Sequence, residues 1–347
     1  MTTTSKVERL SSERKQSILD GRNPEWLTTP GYQMLVGKYL TKEDPDLKST
    51  FRRISRLSAQ YMKGEESKYE DIFYNLLWSG DFALSTPPLA NMGTGKAMVV
   101  SCTGNLVDDS VGGFYEATME SAVLSQEGFG TSSYLGDIRP RGSDISRGGK
   151  ASGTLPVIKQ FVQMARDITQ GTRRGAWAGY LEITHGDFWE IVSYLEHNPE
   201  DFNMGWIIPD SFIDALSSGD EEANRRYSRA LKVKLVTGKG YFLFIDRANR
   251  NAPQAMRDAG LTIKASNLCT EIMLPSSDIY SFGCLISSMN LARYDEWQED
   301  AIFNSMIFLD CMCDYFLDES RGVKGVEKVH NYMLHTRSVG LGLLGFH

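Results

Sequence analysis

The stretch "SNLCTEIMLP", residues 266–275, sets an amide, a thiol and a carboxylate at every second position: Asn267, Cys269 and Glu271. Side chains two apart share a face only in extended backbone, because strand side chains alternate with period two. Pro275 and the polar "KASN" leading into the motif favour an extended loop over a helix. A thiol between a base and an amide suits two chemistries. Nucleophilic catalysis usually wants a histidine partner, and the nearest in sequence are His197 and His330. In radical chemistry, sulfur takes a hydrogen atom from carbon while the carboxylate removes a proton and the amide holds a substrate hydroxyl or carbonyl. The spacing alone leaves both open, beside an ordinary buried cysteine.

Outward from the motif, the chain has 347 residues of which 41% are hydrophobic, enough for one large or two ordinary domains with a well buried core. Its formal charge of −7 argues against a general nucleic-acid or membrane surface and leaves only local phosphate pockets open. The N-terminus "MTTTSKVERLSSERKQ" lacks the apolar centre of a signal peptide, and no run of about 18 apolar residues occurs, so a cytoplasmic location is expected. Five cysteines without a secretion signal then read as free thiols in a reducing compartment. His185, His197, His330, His335 and His347 are scattered, with no C-x-x-C and no H-E-x-x-H, so no metal site is expected.

Residues 1–85 read as a helical domain, with "TFRRISRLSAQYM" and "YEDIFYNLLWSGDF" spacing apolar residues at three and four. Residues 86–347 read as α/β. "KAMVVSC" is a strand-length apolar run, and Asp108-Asp109-Ser110 looks like a helix N-cap, followed by Phe114, Ala117, Ser121 and Leu124 on one helix face. The glycine-dense segment 128–153 reads as a functional loop, and "LPVIKQFVQMARDIT" as an amphipathic helix. "GYLEI", "GWIIP", "GYFLFID" and "DIYSFGCLISSMNLA" are strand-like runs between helical or polar segments, a pattern of mostly parallel sheet, and a long helix is expected over 297–318.

Several segments together resemble one family. "SNLCTEI" is similar to the finger-loop signature of the large, catalytic subunit of class I ribonucleotide reductase, and "STPPLANMGTGKAMVVSC", "DDSVGGFYEA", "GFGTSSYLGDIRPRGS", "TQGTRRGA", "CLISSMNLA" and "RSVGLGLLGF" agree in the family's order over about residues 80–347. The resemblance implies a ten-stranded α/β barrel of two parallel halves with the radical cysteine on a loop through its middle, of which this chain carries the first half and the start of the second. It implies Cys269 as the thiyl radical that takes the 3′ hydrogen of a ribose, Glu271 as base on the 3′ hydroxyl, and Asn267 as substrate hydrogen-bonder. Cys102 and Cys284 match the pair that supplies two electrons and closes to a disulfide. Thr86, Ser101 and Gly128 match substrate contacts, with Gly130 an alternative to Gly128. Asp109, Ser110 and Arg139 match the specificity site for a deoxynucleoside triphosphate or ATP, and Arg174 in "TQGTRRG" matches the loop that reads the substrate base.

By the same resemblance the partners are a ribonucleoside diphosphate, a radical-generating, metal-containing small subunit, a second large subunit in a homodimer, and thioredoxin or glutaredoxin as reductant. No cofactor is implied to be covalently bound. The N-terminus reads without the ATP-cone of many members, and the chain stops at a point in the barrel where a C-terminal partner chain is expected to complete it. Two other readings stand beside this one: the adenosylcobalamin-dependent class, against which "NLC" rather than "NPC" counts, and a non-catalytic fragment that binds nucleotide or dimerises. "GLGLLG" (340–345) formally fits G-x-G-x-x-G but leaves no room for the helix a dinucleotide site needs. Cys311 and Cys313 diverge by about 200° on a helix and read as packing residues, and a lone His185 near a turn reads as structural and not as a general base.

Overall fold

The computed structural model describes residues 3–170 and 173–347, with side chains for 7–168 and 175–347. Its strands in chain order are β1 Phe82–Leu84, β2 Cys102–Leu106, β3 Gly130–Tyr134, β4 Thr169–Gln170, β5 Arg173–Arg174, β6 Trp177–Glu182, β7 Asn203–Ile208, β8 Tyr241–Phe244, β9 Phe282–Asn290 and β10 Val339–Leu344. The chain forms two compact units: residues 1–101, 284–321 and 337–347 make the first, and residues 102–283 and 322–336 the second.

In the first unit, apolar spacing becomes helices as the sequence predicts. Asp46 caps the helix Leu47–Ala59 by accepting from Ser49 N at 2.9 Å, and Leu47, Phe51, Ile54 and Ala59 form its buried stripe. Phe73, from the helix Glu66–Ser79, stacks at 4.2 Å on Phe308 of the long helix Ala301–Ser320. That long helix starts at Ala301, later than the sequence suggests, because residues 297–300 form an irregular turn after the 3₁₀ segment Leu291–Glu296. β1 pairs antiparallel with β9 and β10 pairs parallel with it, so "GLGLLG" is strand and not a nucleotide-binding turn.

In the second unit, β2, β3, β6, β7 and β8 pair in that order and all in parallel. The helices Val111–Gln126, Thr154–Asp167 and Phe188–His197 run between strands and cover one face. Alternation divides the side chains between the two faces. Trp177, Leu181, Met204, Trp206 and Ile208 join the helix-side core, whereas Tyr134, Ala178, Tyr180, Ile207 and Leu243 point the other way, where Ala265, Leu268 and Met273 pack on them. The segment carrying Cys269 therefore covers the face that helices leave open.

Three local expectations change. The run "KAMVVSC" is buried lead-in and not strand; the ladder begins at Cys102, where Gly130 becomes its register partner. The glycine-dense segment opens with a strand, since β3 gains ladder partners on both sides that outweigh the weak strand propensity of glycine and serine. Residues 267–271 are not extended throughout. Thr270 takes φ +69° and its N–H donates to the Asn267 carbonyl at 3.1 Å, which folds the motif into a turn.

Candidate active site

The turn brings Asn267 and Glu271 together by a route other than strand alternation. Asn267 Nδ2 donates to Glu271 Oε1 at 2.7 Å, while Asn267 Oδ1 accepts from the N–H groups of Glu271 and Ile272 at 3.1 and 3.0 Å. Asn267 is buried, and Cys269 and Glu271 are exposed at the tip. A β-branched residue at positive φ costs on the order of 1–3 kcal/mol. The Asn267 side-chain bonds and two from Tyr180, at about 0.5–1.5 kcal/mol each, outweigh it.

Cys269 is exposed as a residue, yet the turn partly shields its sulfur; that partial burial pushes the thiol above its ordinary range, and the negative charge of Glu271 adds to the shift. A nucleophilic cysteine needs the opposite shift. A thiol held protonated beside a carboxylate suits hydrogen-atom chemistry, in which the S–H bond is what reacts.

Cys102 lies on the same sheet face as this turn. A Cβ added at Gly130, its register partner, would sit 3.1 Å from Leu268 Cδ2 and 3.7 Å from Cys102 Sγ, so the bare glycine lets Leu268 settle against β3 next to the second thiol. Gly128 does a different job, turning the chain at φ +94° after the helix Val111–Gln126. Small residues recur where the segment crosses the sheet. Ser132 Oγ donates to the Ser266 carbonyl at 2.8 Å and Ser276 Oγ to the Gly104 carbonyl at 2.6 Å.

In the first unit, Ser101 N donates to the Cys284 carbonyl at 3.2 Å, Ser101 Oγ and Ser85 Oγ lie 3.0 Å apart, and Thr86 Oγ1 is 3.1 Å from Tyr39 OH. Cys284 is buried.

A second polar group forms where the helix Val111–Gln126 begins. Of the three candidate capping residues, Ser110 makes the cap, accepting from Gly113 N at 3.0 Å and donating to Asp108 Oδ2 at 2.8 Å. Asp109 is thereby released from capping and accepts from Arg139 Nε at 2.5 Å. The Arg174 side chain lies outside the described residues; its backbone pairs with Thr169 in the β4–β5 hairpin. Among the described residues no three His, Cys, Asp or Glu side chains gather as a metal-holding group, and no helix is long and apolar enough to cross a membrane.

With that geometry in view, the family models for the ribonucleotide reductase all-alpha domain and barrel domain match residues 25–97 and residues 100–229 and 219–347. The chain belongs to the ribonucleotide reductase large-subunit family. A ribonucleoside-diphosphate reductase large subunit of Arabidopsis thaliana is 30% identical over 64% of this chain and 32% of its own length, and that of Caenorhabditis elegans is 25% identical over 98% and 49%. The solved structure of the Actinobacillus ureae class Id ribonucleotide reductase alpha subunit superposes with TM-score 0.85 at 34% identity, covering 93% of this chain and 61% of that one. The chain thus spans about half the length of its relatives. Its helical region followed by a parallel five-stranded sheet is the fold expected for the all-alpha domain and one half of the family's barrel.

Sequence reading missed two residues that shape these polar groups. Tyr180 reaches the thiol turn from β6, and its position in "GYLEI" marks it only as a strand aromatic. Asp187 begins the helix Phe188–His197 but spends its oxygens elsewhere, accepting from Arg141 N at 2.8 Å and Thr154 N at 2.7 Å, so one carboxylate clamps both ends of the loop that follows Arg139. Its place at a helix start was a signal, though for a cap and not a clamp. His185 is structural as expected: Nδ1 accepts from Asp187 N, which leaves Nε2 to donate to the Ile138 carbonyl at 2.8 Å.

Proposed function

We propose that the chain is the active-cysteine portion of a class I ribonucleoside-diphosphate reductase large subunit, reducing ribonucleotides to deoxyribonucleotides through a thiyl radical at Cys269. The observation that carries this reading is the Asn267–Glu271 hydrogen bond in the turn that presents the exposed Cys269 thiol. In the reaction, Cys269 sulfur takes the 3′ hydrogen atom of the ribose and Glu271 accepts the 3′ hydroxyl proton. The 2′ hydroxyl leaves as water with a proton from the Cys102 and Cys284 thiols. Those two thiols supply two electrons and close to a disulfide, their second hydrogen going to C2′; Glu271 then returns its proton to the 3′ oxygen and Cys269 returns the hydrogen atom to C3′. Support for the pair is that Ser101, the residue before Cys102, hydrogen-bonds the Cys284 carbonyl. In this reading Thr86, Ser101 and Gly130 are the substrate contacts, with Gly128 serving the backbone turn.

The disulfide is reopened by a thioredoxin or glutaredoxin, and the radical arrives from a metal-containing small subunit. The remaining barrel strands come from a C-terminal half, and two large subunits pair as a homodimer. A deoxynucleoside triphosphate or ATP binds at Asp109, Ser110 and Arg139, with Arg174 carrying the effector's identity to the substrate base. The Asp109–Arg139 pair at a helix start supports this, because an arginine fork and helix N–H groups suit a triphosphate while the carboxylate suits a ribose hydroxyl.

The test is Cys269→Ser in the complete large subunit, assayed for deoxynucleotide formation with small subunit and dithiol reductant. Turnover should vanish with effector binding intact, since the stronger O–H bond blocks the hydrogen transfer. Turnover at the wild-type level overturns the reading.

A further inference from the structure

Tyr180 closes the thiol turn from both sides of Cys269. Its one hydroxyl proton goes to the Asn267 carbonyl at 2.5 Å, which leaves the phenol oxygen to accept from Thr270 Oγ1 at 2.7 Å. One partner lies two residues before the thiol and the other directly after it. The ring is given room to do this. Gly205, its register partner on β7, would with a Cβ approach Tyr180 Cε1 to 2.1 Å, so any side chain at 205 would displace the phenol. Thr270 adopts φ +69°, the left-handed region that a β-branched residue avoids, and there its hydroxyl meets the phenol. Two locally disfavoured choices, a glycine in mid-strand and a threonine at positive φ, thus serve a single contact.

We propose that Tyr180 is a positioning residue for the Cys269 thiol, fixing the direction of Sγ through the Asn267 carbonyl and the Thr270 hydroxyl before substrate arrives. The catalytic part of this proposal rests on Cys269 being the radical-bearing thiol; the clasp on the turn does not. Hydrogen-atom transfer depends steeply on the distance between sulfur and carbon, so a loosened turn costs rate more than binding.

Tyr180→Phe keeps the ring and its fit over Gly205 and removes only the hydroxyl. In this chain, Cys269 alkylation by iodoacetamide and amide exchange over residues 267–272, both read by peptide mass spectrometry, should accelerate severalfold. Thr270→Val should do the same, and the double variant should go no faster than either single one, because both act through one clasp. In the complete enzyme kcat should fall on the order of tenfold to a hundredfold with KM unchanged, and Thr270→Ser, which keeps the hydroxyl, should restore most of the loss seen with valine. If Tyr180→Phe fails to fold, Thr270→Val reads the same clasp. Wild-type alkylation and exchange in the hydroxyl-less variants overturn the clasp, and an unchanged kcat overturns its role in the reaction. Turnover by Cys269→Ser would instead sink the reading of the site, leaving the alkylation and exchange results to stand by themselves.

Discussion

Cys269 and the pair Cys311 and Cys313 show how differently one side chain behaves on two backbones. On the helix Ala301–Ser320 both thiols are buried, as are Phe308, Met312 and Phe316 of the same helix, and burial pushes each thiol up to about 12. On the turn the thiol is exposed, its backbone is strained at the next residue, and its neighbours are an amide, a carboxylate and a phenol hydroxyl. The helix supplies regular hydrogen bonds to every backbone group and so can afford apolar surroundings. The turn satisfies its backbone with polar side chains, and those same side chains make a chemical environment.

The largest expected difference is in reactivity. With values of about 12, Cys311 and Cys313 hold roughly one part in ten thousand as thiolate at pH 8. Iodoacetamide should therefore modify Cys269 first in the native chain and reach the helix pair only on unfolding, as peptide-resolved mass spectrometry would read. The raised value at Cys269 also fixes the sign of the pH dependence. Its alkylation should keep climbing above the pH at which an ordinary thiol levels off, and Glu271→Gln, by removing the negative neighbour, should move the curve to lower pH. Helix thiols that label as fast as Cys269 would erase the contrast.

A smaller effect, of opposite sense, is expected in stability. Cys313→Ser puts a hydroxyl into a fully buried helix position and should cost about 1–3 kcal/mol of unfolding free energy, whereas Cys269→Ser at the exposed tip should stay within about 0.5 kcal/mol. Urea unfolding midpoints measure both. Equal losses would mean that the turn thiol is a packing residue after all.

How much of this was legible in the sequence follows the same division. The helix cysteines could be read from spacing, because a helix sets side-chain direction by its own period and needs nothing from afar. The parallel strands "GYLEI", "GWIIP" and "GYFLFID" were readable for the same reason, their apolar runs being long enough to mark buried sheet. The turn was readable only in its residue types. Period two put Asn267, Cys269 and Glu271 on one face of an extended segment, whereas Asn267 and Glu271 meet through a bend at Thr270 that no local signal announces. Tyr180 is 90 residues away from Thr270 and Ser132 is 134 from Ser266, so the contacts that shape the turn exist only once the sheet has formed. The strand at Gly130–Tyr134 escaped notice because its small residues, chosen to let the covering segment approach, read as loop.

The finest distinction concerns the two glycines offered by the sequence for one role. Gly128 is needed for its backbone, since φ +94° is strained for any other residue, and Gly128→Ala should cost about 1 kcal/mol in unfolding free energy while leaving Cys269 alkylation unchanged. Gly130 is needed for its bareness. The alanine methyl would stand 3.1 Å from Leu268 Cδ2, close enough that Leu268 must shift by a few tenths of an ångström, and Leu268 is joined directly to Cys269. Gly130→Ala should therefore lose less than about 1 kcal/mol yet alter the alkylation rate of Cys269, with no effect on Cys311 or Cys313. The two variants separate global strain from local displacement: one lowers the unfolding midpoint, the other changes a single thiol. If Gly130→Ala leaves that thiol's rate untouched, the turn is held by Tyr180 and Asn267 alone and Leu268 rides on it without steering it.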